Sequence, residues 1–164
     1  MEIRLAAETE YAEVGAITVA AYEPFLLGPD DPYADRLRDA ASRAEHADLW
    51  VAVDSEGRLL GSVTEAPTGS QYRELGADDE GEFRMLAVAP HARGRGVGEA
   101  LARHVIERTR AGGHRGVVIS SLPDMAAAHR LYARLGFRRD PDLDWHPLPD
   151  VLLVAFRLDL ETAP

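Results

Sequence analysis

Three glycines within six residues constrain this chain more than any other feature. The segment 93–98 reads RGRGVG, and it follows an apolar run that ends at Pro90 and precedes an amphipathic pattern over residues 97–110. Closely spaced glycines weaken a helix or a strand, so the backbone must turn tightly here or approach another group closely. Three interpretations are open: a phosphate cradle at a helix N-terminus, a flexible turn, and an arginine-rich patch for nucleic acid.

The overall charge bears on the third interpretation. The 164 residues include 18 Lys and Arg against 28 Asp and Glu, which gives a net charge of −10. Such a charge disfavours nucleic acid as a partner and is compatible with a cationic amine. The absence of cysteine excludes disulfides and thiolate zinc sites. His146 stands near Asp142 and Asp144 without a metal-ligand spacing, so we expect no metal.

The chain has the length and composition of one globular domain over residues 1–164. Its N-terminus lacks an apolar run long enough for a signal peptide or a membrane span, so we expect a cytoplasmic protein with no membrane partner. Hydrophobic patterns predict strands at residues 3–6, 49–53, 59–64, 83–88, 117–120 and 151–156. They predict helices after Thr9 and over 33–46, 97–110 and 125–135, with a capping box at 121–124 and a loop at 140–150. Mixed strands and helices indicate an α/β (α+β) fold around one central sheet.

Two common nucleotide-binding motifs do not match the residues of this segment. A Walker A loop needs Lys-Ser/Thr after its last glycine, and none follows here. A dinucleotide fingerprint would use Gly94 and Gly96 but requires glycine where this chain has Glu99.

A third pattern fits. Arg93, Gly96 and Gly98 form Arg-x-x-Gly-x-Gly within EFRMLAVAPHARGRGVGEAL, which resembles the acetyl-CoA signature of the GNAT superfamily of acyl-CoA-dependent N-acyltransferases. The later segment 126–137, AAAHRLYARLGF, resembles the second signature of that family, and the two occur in the family's order. The resemblance implies a three-layer fold with one mixed, mostly antiparallel sheet between helices, and an acyl-CoA-binding core over about residues 82–137.

The resemblance also implies a donor site. Backbone N–H groups of the glycine turn would hold the CoA pyrophosphate, and the exposed edge of the preceding strand would pair with pantetheine. The N–H of Val88 would polarise the thioester carbonyl. The residues so assigned are Leu86, Ala87, Val88, Arg93, Gly94, Arg95, Gly96, Val97 and Gly98.

Catalytic roles follow from the same resemblance. Tyr132 matches the tyrosine that protonates the leaving CoA thiolate, although it also falls on the apolar stripe of its helix. Glu82 matches the general base of the histone-acetyltransferase branch, but an ion pair with the nearby Arg84 would make it a poorer base. Alternatively, Glu82 is a solvated edge carboxylate. His129, one helical turn from Tyr132, is a second candidate base or a surface residue.

The acceptor is less constrained. Ser120 and Met125 replace the Glu and Asn of enzymes that modify ribosomal-protein N-termini, which argues against that substrate class. Candidate residues for lining an acceptor site are Tyr22, Phe25, Tyr33, Tyr72, Trp145 and His146.

We expect an N-acetyltransferase that moves an acetyl group from acetyl-CoA to a primary amine of a small molecule or peptide in a ternary complex. The alternative is an acyl-CoA-binding regulatory module with little or no transferase activity. The resemblance makes a homodimer possible.

Overall fold

A computed structural model describes residues 1–160. These residues form eight strands, five α-helices and four short 3-10 turns. The strands are β1 (Glu2–Leu5), β2 (Asp48–Val53), β3 (Leu59–Glu65), β4 (Glu80–Val88), β5 (Gly116–Ser121), β6 (Arg138–Arg139), β7 (Trp145–Leu148) and β8 (Val151–Asp159). The helices are α1 (Tyr11–Tyr22), α2 (Pro32–Arg38), α3 (Ala40–His46), α4 (Val97–Ala111) and α5 (Ala126–Arg134). The 3-10 turns are Glu8–Glu10, Glu23–Phe25, Pro90–Ala92 and Pro141–Leu143.

The strands form one mixed sheet in the order β1-β2-β3-β4-β5-β8-β6, with β7 paired to β8. Within the described chain, β4 and β5 are parallel and the other pairs are antiparallel. The predicted fold class, a mostly antiparallel sheet between helices, is therefore confirmed. No helix within residues 1–160 combines the length and the apolar character that a membrane crossing requires.

Strand β3 shows why helices cover both faces. A side chain at Gly61 would meet Val97 and Leu101 of α4 at 3.0 and 3.2 Å, so α4 packs closely over this point. Thr64, whose side chain points to the opposite face, is bonded by Arg43 of α3. The apolar stripe predicted for α4 is buried, with Val97, Leu101 and Val105 at most 2% exposed.

Strands β4 and β5 are paired over only three residues. Parallel pairing covers Glu80 to Glu82 of β4, opposite Gly116 to Val118 of β5. Beyond that point β5 pairs only with β8, and β4 pairs only with β3. Met85 takes a positive φ of 54° where the β3–β4 register shifts, which marks a β-bulge that increases the local twist. The second half of β4 therefore leaves β5, and one of its edges lies open.

Three local predictions are wrong, each for a physical reason. Residues 33–46 form two helices rather than one, because the Asp39 carboxylate accepts the Ser42 N–H and caps a new helix. These helices are not simply solvated, since Leu37, Ala40 and Arg43 are buried.

The other two errors lie between β5 and β8. The capping box does not form, because the Ser121 hydroxyl donates to the Leu122 carbonyl and faces His129 instead. The loop predicted at 140–150 contains β7, since the Asp144 carboxylate binds both the Arg139 guanidinium and the Ala155 N–H, and so holds this segment against β8.

Candidate active site

The open edge of β4 presents backbone groups to the gap beside β5. Ala89 donates its N–H to the Leu60 carbonyl of β3 at 2.8 Å. Because successive N–H groups of a strand point to opposite edges, the N–H of Val88 points away from β3 and into the gap. Gly61 faces Val88 in the register. The gap therefore offers an unpaired donor at Val88, which is the geometry an oxyanion-type donor needs.

The glycine-rich turn lies directly after this edge. Gly94 and Gly96 have φ angles of 76° and 77°, and no other atom lies within 4 Å of the position a Cβ would take. Only glycine adopts this left-handed conformation without strain. The first N–H groups of α4 have no partner within the helix, which makes its N-terminus suited to an anion. Arg93 and Arg95 are exposed beside it, and neither forms an ion pair with another residue of the described range.

Tyr132 lies in an aromatic cluster next to the gap. Its ring centroid is 6.4 Å from that of Phe83, 5.8 Å from that of Phe137 and 5.6 Å from that of Phe156. The side chain is buried, and burial raises the pKa of Tyr132 well above its usual range. The phenol is therefore protonated at neutral pH and available as a donor. Packing and acid chemistry are compatible here, because a tyrosine buries its ring and keeps a polar tip.

Glu82 is held by the loop that precedes β4. Its carboxylate accepts N–H bonds from Glu74, Leu75 and Gly76 at 2.7 to 2.8 Å, and the residue is 4% exposed. The expected ion pair between Glu82 and Arg84 is absent from the described contacts, because the loop's amides occupy the carboxylate. The base role of Glu82 stays a prediction, and the contacts favour a positioning role.

Arg84 pairs instead with Glu74 of the loop, an ion pair that local sequence patterns do not indicate. Both side chains are mostly buried, at 13% and 16% exposed. Arg84 also reaches the Tyr33 hydroxyl and the Tyr72 carbonyl, each at 3.4 Å. Burial raises the pKa of Glu74 above its ordinary value, although Arg84 opposes that change. A buried carboxylate of this kind is a candidate proton acceptor.

His129 is fixed at the end of β5. Its Nε2 lies 3.1 Å from the Ser121 hydroxyl, and its ring packs on Phe156 with centroids 5.0 Å apart. Burial lowers the pKa of His129, so the neutral imidazole is favoured. His129 therefore has a defined contact and is not a free surface residue.

The predicted acceptor residues divide into two groups. Tyr22 and Tyr33 lie together, with ring centroids 6.3 Å apart, and Tyr33 contacts Arg84. Tyr72 is buried beneath them and donates its hydroxyl to Ser42 at 2.7 Å. Phe25 follows α1 and is half-buried. Trp145 and His146 belong to β7, which pairs with β8.

Within residues 1–160, no three His, Asp or Glu side chains come together as metal ligands would.

The positioning role of Glu82 predicts the behaviour of Glu82→Gln. Glutamine replaces one acceptor oxygen by an amide group that cannot accept the loop's N–H donors, so the loop loses at least one buried hydrogen bond. We expect amide hydrogen exchange at residues 74–76 to rise about tenfold and the free energy of unfolding to fall by about 1–3 kcal/mol. The exposed Glu107→Gln is the matched control, and unchanged exchange at 74–76 in Glu82→Gln would refute the role.

Comparison with known proteins places these features in a family. The sequence profile of the acetyltransferase (GNAT) family matches residues 14–137. The chain is 38% identical over 156 residues to N-acetylaspartate synthetase of Danio rerio, and the match covers 85% of this chain and 52% of that protein. It is 30% identical over 132 residues to mycothiol acetyltransferase of Cellulomonas flavigena, covering 72% and 36% respectively. The chain thus spans about half the length of the N-acetylaspartate synthetases of Danio rerio and Xenopus tropicalis, 52% and 49% respectively.

Solved structures share the fold. A GNAT-family acetyltransferase from Staphylococcus aureus superposes with a TM-score of 0.74 at 14% identity, covering 98% of this chain and 99% of that one. The yncA protein of Salmonella typhimurium, determined with its cofactor acetyl-CoA, superposes with a TM-score of 0.68 at 22% identity, covering 100% and 96%. With the family profile covering most of its length, the chain belongs to the GNAT acetyltransferase family.

Proposed function

We propose that this protein is an N-acetyltransferase that transfers the acetyl group of acetyl-CoA directly to the primary amine of a small molecule. The observation that carries the proposal is the open edge of β4, where the Val88 N–H points into the gap beside Tyr132's aromatic cluster. Family membership and the acetyl-CoA bound by a structural neighbour support the donor.

The residues present fit the donor. The turn at Gly94 and Gly96 leaves open space above its backbone, and the N-terminus of α4 adds N–H groups and the positive end of the helix dipole. These groups would hold the pyrophosphate, with Arg93 and Arg95 as exposed charge partners. The free edge at Leu86 and Val88 would bond the amide groups of the pantetheine arm, as one strand bonds another.

Two groups of the protein, the Val88 N–H and the Tyr132 hydroxyl, would assist the acetyl transfer. Acetyl-CoA supplies an activated thioester carbonyl. The Val88 N–H stabilises the negative charge that develops on the carbonyl oxygen as the amine nitrogen bonds to the carbonyl carbon. The carbon–sulfur bond then breaks, and the Tyr132 hydroxyl donates its proton to the departing sulfur. The proton that the nitrogen loses as the amide forms restores the Tyr132 hydroxyl. The raised pKa of Tyr132 keeps its hydroxyl protonated before the carbon–sulfur bond breaks, and it also makes the phenol a weaker acid toward the sulfur than an exposed tyrosine would be.

The relatives support a small acceptor. One is named for N-acetylaspartate, in which an amino acid nitrogen carries the acetyl group, and another for mycothiol. Ser120 and Met125, which replace the side chains of the ribosomal N-terminal enzymes, fit the same conclusion.

Tyr132→Phe tests the acid role. Phenylalanine retains the ring packing with Phe83, Phe137 and Phe156 but removes the proton, so we expect kcat to fall about 10²-fold or more. The Kd for acetyl-CoA, measured by calorimetry, should stay within about twofold of wild type. Tyr11→Phe, on the first turn of α1, is the control. Thiol release by Tyr132→Phe at the wild-type rate would remove Tyr132 from the mechanism.

Gly96→Ala tests the donor site. A Cβ at Gly96 meets no neighbouring atom within 4 Å, so the fold should be retained at a cost of about 1–2 kcal/mol for the left-handed φ of 77°. That Cβ would occupy the open space above the turn where the pyrophosphate is proposed to bind, so we expect acetyl-CoA affinity to fall about tenfold or more. Gly113→Ala is the matched control, because Gly113 has a φ of 80° and equally open surroundings after α4. If Gly96→Ala binds acetyl-CoA as Gly113→Ala does, the glycine turn before α4 does not hold the donor. Tight binding by wild type without thiol release on any amine would instead favour a regulatory module.

A further inference from the structure

The loop over residues 67–79 carries Glu74, which forms an ion pair with Arg84 of β4, and the donor site does not use this pair. The Arg84 guanidinium has five N–H donors, and its tight contact is the ion pair with Glu74. Its bonds to the Tyr33 hydroxyl and the Tyr72 carbonyl are 3.4 Å long, at the weak limit for hydrogen bonds. A carboxylate arriving from outside would replace these two weak contacts with strong, charge-assisted ones.

A second arginine adds positive charge to the same region. Arg43 is fully buried and forms no ion pair within residues 1–160. Its guanidinium donates only to neutral oxygens, those of Thr64, Thr18 and the Leu37 carbonyl, and its Nε has no acceptor. Such an uncompensated charge is costly in a protein interior, and its field extends into the surrounding low-dielectric region. The two arginines meet the same buried cluster, because the Leu37 carbonyl accepts from Arg43, while the Tyr72 carbonyl and the Tyr33 hydroxyl accept from Arg84.

The pair is close to the catalytic tyrosine. Phe83, the neighbour of Arg84 on β4, packs its ring against the ring of Tyr132, the residue that we assign as the acid, with centroids 6.4 Å apart. Arg84 is also four residues before Val88 on the same strand. A molecule bound to Arg84 would therefore lie at the acceptor side of the gap.

We propose that the acceptor is an α-amino acid or a close analogue, with its carboxylate on Arg84 and its ammonium group on Glu74. This inference rests on the proposed function. Glu74 takes the first proton that the ammonium group loses, and the freed nitrogen bonds to the thioester carbon. The carbon–sulfur bond breaks as Tyr132 protonates the sulfur. The second proton, which the nitrogen loses as the amide forms, restores the Tyr132 hydroxyl, and Glu74 releases its proton to solvent. A zwitterion carries both charges that the pair can bind, although the protein as a whole has a net charge of −10.

The first test compares matched acceptors. Thiol release from acetyl-CoA is measured with L-alanine and L-aspartate against L-alaninamide and ethylamine, each rate referred to the concentration of the protonated amine, which is the form that Glu74 would bind. We expect kcat/KM to be about tenfold or more higher for the carboxylate-bearing amines. Equal rates on all four would overturn this inference and leave the proposed function standing. Acetyl-CoA binding with no release on any of them or on a wider amine library would overturn the proposed function itself.

Arg84→Gln locates the carboxylate contact. We expect its preference for L-alanine over L-alaninamide to fall below about threefold, through a rise in KM, while the Kd for acetyl-CoA is retained. The control is Arg110→Gln, because Arg110 belongs to an exposed Glu107–Arg110 pair on α4 that resembles the Glu74–Arg84 pair in chemistry only. Retention of the wild-type preference in Arg84→Gln would exclude Arg84 as the carboxylate-binding group.

Glu74→Gln tests the proton acceptor. The charged groups that face Glu74 are Arg84 and Glu82 of β4 and Arg36 of α2, and the Tyr33 hydroxyl contacts Arg84 rather than Glu74. A base acts only when unprotonated, so wild-type kcat/KM should fall as pH decreases through the raised pKa of Glu74. We expect Glu74→Gln to lose that acid limb and about 10²-fold in rate, and Glu74→Asp, which keeps the carboxylate, to retain the limb. Glu107→Gln is the control. An unchanged acid limb in Glu74→Gln, or its loss in both variants, would refute the assignment.

Discussion

The parting of β4 from β5 after three residues of parallel pairing is the feature on which the rest of this structure depends. The pairing is secured at its start, where the buried Glu80 carboxylate binds Arg157 of β8 across β5. It ends at Glu82, and the bulge at Met85 then turns the remainder of β4 away. A strand edge inside a protein is costly when its N–H groups are unpaired. A thioester and its pantetheine arm would satisfy the open groups of β4, and the glycine turn that follows would hold the phosphates.

The proposed acceptor side consists of charged side chains that the fold holds in place. Glu82 uses its carboxylate to fix three loop amides, and this loop carries Glu74 to Arg84. Arg43 adds an uncompensated charge beneath the same cluster. An acidic protein thus buries two arginines on one side of β4. Its net charge suits a cationic amine, whereas these arginines favour an acceptor that also carries a negative group.

Much of the fold and the donor site could be predicted from the sequence because their signals are local. The apolar stripe of Val97, Leu101 and Val105 and the glycines at 94 and 96 depend on neighbouring residues in the chain. The break at Asp39 was missed because a capping aspartate looks like any other polar residue in a helix. Glu74 and Arg84 are ten residues apart, and their pairing depends on how a polar loop folds back onto Glu82. No periodicity reports such a contact.

The most direct test of the account is the backbone amide signal of Val88 in a ¹H–¹⁵N correlation spectrum during titration with acetyl-CoA. The account predicts a downfield shift of the Val88 amide proton with acetyl-CoA and a smaller shift with CoA, which lacks the thioester carbonyl. The Ala87 amide, which faces β3, should move little in both titrations. A Val88 signal that does not move when the protein is saturated with acetyl-CoA would contradict the central claim that the open edge of β4 binds the reacting carbonyl.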